Sequence, residues 1–285
     1  MIRELKRDPF ILDLLFKDIY YYNDKWNYLE KYLYYRSTTY IVDADVSLYL
    51  CELYKKIYSY IDENAIIQNQ KYKDKEIRNM YEIVSKGQCL RGETLVNGME
   101  IIKRIAIIKN QKFFSSNGDI DLIQNIILKD ESLLELLAEH IKLCYSVGNF
   151  VPIPLISKSL NQAKGLFCYE EPHCRMGRKD FFYDGIYPYL MNFCNYFVNN
   201  SRDNAFIKIV AENYNEWLSD TYGIGKEGWD NFVKYNYFAY FVDDNNIPKK
   251  YYIITEREPL DDVKDYIKNI NVDLKKRNEM ILGLL

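Results

Sequence analysis

The chain has 285 residues, 48% hydrophobic and 28% charged, which is enough apolar content to bury a core and excludes a disordered polymer. A formal net charge of −3 removes any chain-wide electrostatic case for nucleic acid or anionic membrane, leaving only a small local basic surface. No stretch approaches the roughly 20 apolar residues of a bilayer span.

In chain order, helical spacing dominates. Asp8-Pro9 reads as a capped helix start, and Leu12, Leu15, Phe16, Ile19, Tyr22, Trp26, Leu29 and Leu33 follow at three-and-four spacing. Charged residues Asp8, Asp13, Lys17 and Asp18 interrupt any signal-peptide core there, so a cytoplasmic protein with no membrane partner is expected. A second pattern runs from Val46 to Ile61, and the polar, charged stretch 64–79 is expected to include a loop. After a glycine break at 87–92, Leu95, Met99, Ile102 and Ala106 resume the helical period. Arg91-Gly92-Glu93-Thr94 then reads as the start of that helix, with Glu93 at the positive end of its dipole.

Ser132 and Glu135 have capping-box spacing, opening a helix that buries Leu133, Leu137, Ile141 and Cys144 and carries His140 as a partly buried core or boundary residue. Residues 148–177 break the pattern, with Pro152, Pro154, Pro172, Gly165 and Gly177. A connection of about 30 residues is longer than usual. Its apolar members Phe150, Val151, Ile153, Leu155, Ile156, Leu166 and Phe167 predict an ordered strap anchored to a core. Gly148 is expected to take a left-handed turn at the end of the preceding helix.

Helical spacing resumes at Phe182, Ile186, Leu190, Phe193 and Phe197, with Pro188 delaying the start. It continues through Phe206, Ile209, Val210 and Trp217, and again from Trp229 through Phe232, Val233, Asn236, Tyr237 and Tyr240. The run 251–255 is the best strand candidate, and Pro259 opens a last helix with Val263, Ile267, Ile270, Leu274 and Ile281 on one face.

The expected fold class is therefore mainly α, an irregular multi-helix globular bundle of roughly eight or nine helices with at most one small β element. It forms a single helical domain over 1–285, or two subdomains, 1–147 and 178–285, joined by the ordered Pro/Gly-rich segment 148–177.

Chemical signals are sparse. The 28 tyrosines are spread along the chain with abundant Lys, Asn, Ile and Phe, as A/T-rich codon usage produces. Six scattered cysteines (Cys51, Cys89, Cys144, Cys168, Cys174 and Cys194) read as reduced core thiols of an intracellular protein. Gly223-Ile224-Gly225-Lys226 offers only a fragment of a phosphate loop and follows a helix, so it reads as a helix end. Cys168, His173 and Cys174 are weak zinc-ligand candidates without the paired spacing of a structural site, and no metal or cofactor is expected. A nucleic-acid-binding role would require a continuous basic face, for instance Lys249, Lys250, Lys275, Lys276 and Arg277, and is not expected.

The stretch Ser146-Val-Gly-Asn-Phe-Val-Pro-Ile-Pro154 resembles a family of uncharacterised bacterial proteins, mainly Gram-positive, that carry a Gly-Asn-Phe/Ile-x-Pro-x-Pro signature. Arg91-Gly-Glu-Thr94 is similar to an upstream element of that family. Asn161 and Lys179-Asp180-Phe181-Phe182 are similar to the region after the signature, and Gly228-Trp229-Asp230-Asn231-Phe232-Val233 to its C-terminal block. The lead-in Leu143-Cys144-Tyr145-Ser146 departs from the family's fuller hydroxyl- or histidine-containing pattern.

The resemblance implies a shared fold and site location, a setting in bacterial defence or mobile-element biology, and no reaction. The expected function is binding of a protein partner or a small polar ligand. Ligand-binding candidates are Arg91, Glu93, Thr94, Asn149, Asn161 and Asp180. The alternative is an enzyme acting on nucleotides or nucleic acid, in which Arg91, Glu93, Asn149, Asn161 and Asp180 converge in one cleft.

Overall fold

A computed structural model describes residues 56–60, 66–69, 81–96, 101, 105, 108, 129–144, 146–154, 186–203, 205–250 and 259–283. The helix expected from Asp8, most of the pattern from Val46 and the strand expected at 251–255 lie outside these residues. The described part is mainly α. Its helices are α1 (Glu131–Cys144), α2 (Ile186–Asn199), α3 (Ala205–Tyr222), α4 (Gly225–Tyr235) and α5 (Leu260–Leu282). A four-stranded antiparallel sheet accompanies them in the order β1 (Ile66–Asn69), β2 (Tyr81–Ser85), β3 (Gln88–Thr94) and β4 (Phe150–Pro154).

The sheet adds one strand and overturns one expectation. The polar stretch 64–79 contains β1, whose Ile66 and Ile67 pair with Val84 and Ile83 of β2. Arg91-Gly92-Glu93-Thr94 does not start a helix but lies in β3. The cause is the turn before it. Lys86 and Gly87 both take positive φ, 48° and 78°, as a two-residue type I′ hairpin loop demands, so the glycine reverses the chain into a strand. Lys86 Nζ donates to the Asp220 carbonyl at 3.3 Å, and Trp217 Nε1 donates to Ser85 Oγ at 3.1 Å, seating the hairpin on α3. Helical backbone does follow at Ile101, Ile105 and Ile108, with Ile101 and Ile105 buried.

The N-cap of α1 is Asp130, two residues earlier than the expected Ser132. Its Oδ1 accepts from the Leu133 amide at 3.1 Å, and Ser132 Oγ donates to the same oxygen. The helix expected to reach Tyr240 stops at Tyr235, because Tyr237 takes φ +58°, and Tyr240 falls in a separate turn, Ala239–Phe241.

The C-terminal helices meet over aromatic rings. Phe193 of α2 stacks on Phe232 of α4 with centroids 4.6 Å apart, and Trp229 stacks on the same ring at 5.8 Å. Tyr222 approaches it edge-on at 5.1 Å. Helix α5 packs against α1 and the Val147–Asn149 turn on one side and the Ala239–Phe241 turn on another, burying Val263, Ile267, Ile270, Leu274 and Ile281 as expected. No helix among the described residues is long and apolar enough to cross a membrane.

Candidate functional site

The signature segment begins where α1 ends. Ser146 Oγ donates to the Leu143 carbonyl at 2.7 Å, and the Asn149 amide donates to the Ser146 carbonyl at 2.9 Å, closing a short 3-10 turn. Gly148 is not in a left-handed conformation, contrary to expectation. It is required for another reason. A Cβ there would stand 2.6 Å from Asn278 Oδ1 and 2.8 Å from the Leu274 carbonyl oxygen, so only a glycine lets the turn meet α5. Across this contact, the Gly148 amide donates to Asn278 Oδ1 at 2.5 Å and Asn278 Nδ2 donates to Ser146 Oγ at 2.7 Å.

Asn149 is wholly buried. Its Oδ1 accepts from the Val96 amide at 2.9 Å, its Nδ2 donates to the Val96 carbonyl at 2.8 Å, and its own carbonyl accepts from the Leu95 amide at 2.7 Å. The side chain thus continues the β3–β4 ladder by one rung in place of backbone. The Leu95–Asn149 bond also sets the ladder's parity. Bonded positions fall at Glu93–Val151 and Arg91–Ile153, while Pro152 and Pro154 fall between them. Their nitrogens, which have no proton to give, therefore point away from β3 along the outer edge of β4, where proline is tolerated.

Arg277 of α5 clasps this turn from within. Its Nη1 donates to the Gly148 carbonyl at 2.5 Å, while Nη2 and Nε donate to the Asn236 carbonyl at 2.9 and 3.3 Å. The guanidinium lies 4.9 Å from the Phe238 ring centroid and hydrogen-bonds the Tyr58 phenol. Burial outweighs the guanidinium's pull and pushes the Tyr58 hydroxyl well above its ordinary value, and burial does the same to Tyr189 and Tyr222. One sealed cation is thus held by carbonyls, a neutral phenol and an aromatic face.

His140 is fully buried between α1 and α5. Its Nδ1 lies 2.7 Å from Asn271 Oδ1, and Asn271 Nδ2 donates to the Leu136 carbonyl and to Glu139 Oε2. With its amide protons so used, Asn271 offers only an acceptor, which assigns the imidazole proton to Nδ1. Nε2 has no hydrogen-bond partner among the described residues, and burial lowers the imidazole to about 4.

Of the expected ligand-binding residues, Arg91 and Glu93 occupy alternate positions of β3 and so share a sheet face, with Glu82 directly across from Arg91. Thr94 falls on the opposite face. Asn149 lies beside Leu95 at the end of the ladder, and both ends of its side-chain amide are engaged by Val96. Asn161, Asp180, Cys168, His173 and Cys174 lie outside the described residues. Among the described residues no three His, Cys, Asp or Glu side chains gather as a metal group would require. The Gly223–Lys226 fragment joins α3 to α4 and follows no strand.

The basic face sketched over 249–277 is broken up: Arg277 is buried, Lys275 pairs with Glu139, and Lys249 pairs with Asp273 at 3.5 Å. Arg277, Asn271 and Asn278 were the residues that sequence reasoning misplaced or missed. The signal was present: Arg277 stands three residues beyond Leu274 and four before Ile281, on the inward stripe of α5.

Searches against protein-family models, curated proteins and solved structures find no match to this chain.

Proposed function

We propose that the protein is a binding module for a protein partner in the bacterial cytoplasm, in the defence or mobile-element setting that its Gly-Asn-Phe-x-Pro-x-Pro resemblance suggests. The observation that carries this reading is the inward commitment of the signature. Asn149, Asn236, Arg277 and Asn278 are all at most 1% exposed, and they bond to backbone groups such as the Val96 amide and Gly148 carbonyl or to buried side chains such as the Ser146 and Tyr222 hydroxyls. Groups held this way fix a shape and leave little chemistry for a passing substrate. The accessible side chains of the C-terminal helices are instead a mixture of carboxylates, asparagines and lysines with isolated aliphatics such as Ile224 and Val272.

The enzyme alternative draws on Arg91, Glu93, Asn149, Asn161 and Asp180, and the Val96 bonds already occupy the Asn149 amide. Affinity purification of the full chain from its own cells, followed by reconstitution from two purified proteins, tests the proposal. A stoichiometric complex is expected. Thermal stabilisation of the isolated protein by nucleotides, with their turnover, overturns the proposal in favour of the enzyme.

A further inference from the structure

We propose that the α1–α5 seam is an acid-released latch: α1 swings away from α5 when His140 takes up a proton, pivoting on the Ser146–Asn149 turn. Three polar rungs join the two helices, in the same order along each. Asp130 and Ser132 bond Lys264 at one end, His140 bonds Asn271 in the middle, and Ser146 and Gly148 bond Asn278 at the other. Among the described elements α1 packs chiefly against α5 and the turn that follows it, whereas α5 also holds the Ala239–Phe241 turn. The aromatic cluster of α2 and α4 is built without α1.

Acid acts differently on each rung. The Asn278 rung carries no titratable group, and the Arg277 and Val96 bonds that also fasten this turn do not titrate in the acid range. The Lys264 rung is partly exposed and keeps its charges until the Asp130 carboxyl is protonated near pH 2. The middle rung is the one that changes. Neutral, His140 gives its Nδ1 proton to Asn271 Oδ1 and leaves Nε2 bare. Charged, it gains an Nε2 proton inside a sealed seam with no acceptor among the described residues, which is costly unless water enters. Glu139 on its own helix favours the cation, but Lys275 and Asn271 already hold that carboxylate and burial outweighs it. One turn from Asn271 on α5 stand Lys268 and Lys275, both cations, while Asp273 is paired with Lys249. The turn itself contributes no charge.

An open seam therefore takes up the proton near the ordinary 6.5, and the closed seam only at about 4. Each pH unit below 6.5 raises the ratio of open to closed molecules about tenfold, until pH 4 is reached. The signature turn stays fastened throughout and serves as the pivot. The latch belongs to the fold and stands or falls apart from the partner-binding reading.

Hydrogen exchange of the full chain tests the latch, read as protection relative to the unfolded-chain rate at each pH. Between pH 7 and 4.5, protection in α1 should fall roughly fiftyfold, while the Gly148–Asn149 turn, β3–β4 and α2–α4 keep theirs. His140→Gln and His140→Leu, both neutral, should flatten the α1 response. Equal loss across the chain means global unfolding and overturns the latch. So does protection in α1 that ignores pH, or an undiminished response in a variant that folds. The parent profile alone decides between local and global opening, even should neither variant fold.

Discussion

Arg277 and Lys276 are adjacent on α5 and meet opposite surroundings. Arg277 is sealed and donates to the carbonyls of Gly148 and Asn236, tying together segments distant in sequence. Lys276 stands in solvent over the Tyr240 ring. The inner stripe of α5 spends its polar groups on geometry, and the outer stripe keeps its charge available. Phase along the helix, more than residue type, decides which of these a cation does.

The largest expected effect separates the two stripes. Arg277→Ala strips the Gly148 and Asn236 carbonyls of their donors, leaves the Tyr58 hydroxyl without the guanidinium and opens a void beneath Phe238. Breaking a buried charge network of this kind costs about 3–5 kcal/mol. Lys276→Ala should stay within about 0.5 kcal/mol, as exposed substitutions do. Chemical denaturation of both variants measures the difference. Equal losses would erase the distinction drawn between the stripes.

A second, smaller effect sharpens the same contrast within the α1–α5 seam. His140 is neutral inside the fold because burial lowers it from 6.5 to about 4. The groups facing it are Asn271 from α5 and Glu139 on its own helix, with Lys275 paired to that carboxylate. As pH falls through 6.5, the unfolded chain takes up a proton that the folded chain refuses until about pH 4. Stability therefore falls with pH across this window, by on the order of 2–3 kcal/mol in total. His140→Gln, compared with the parent by denaturant titration at several pH values, should remove that slope. A parent profile as flat as the variant's would show that the imidazole is not held neutral by the seam.

Much of the helical plan was legible because burial imprints a period. Val263, Ile267, Ile270, Leu274 and Ile281 were read correctly, as were Ile186, Leu190, Phe193 and Phe197. The sheet was not, since β1 is only four residues long and β3 carries Arg91, Gly92 and Glu93 where helical capping also reads sensibly. Strand identity there comes from the Lys86–Gly87 turn and from partners across the ladder, which no local window contains. At the site, the need for Gly148 and Asn149 was visible and its cause was not. The Asn278 contact lies 130 residues away along the chain, and Arg277 was grouped with its lysine neighbours instead of with the apolar stripe it interrupts.

The smallest effect lies at the solvent end of the seam. Lys264 Nζ reaches Asp130 Oδ2 at 2.5 Å and Ser132 Oγ at 3.0 Å, joining α5 to the cap of α1. That hydrogen bond, above all, lowers the Asp130 carboxyl to about 2, so its contribution persists above pH 3.8 and disappears as pH falls towards 2. Both partners are partly exposed, however, and water screens the pair, so Lys264→Ala should cost no more than about 1 kcal/mol. Added salt should shrink that loss further. The cap itself survives the substitution, because the Leu133 amide and Ser132 hydroxyl still bind Asp130 Oδ1. Denaturant titration at low and high ionic strength reads both points. A salt-independent loss approaching that of Arg277→Ala would mean that the outer end of α5 is built like the inner one, and the contrast between its two environments would not hold.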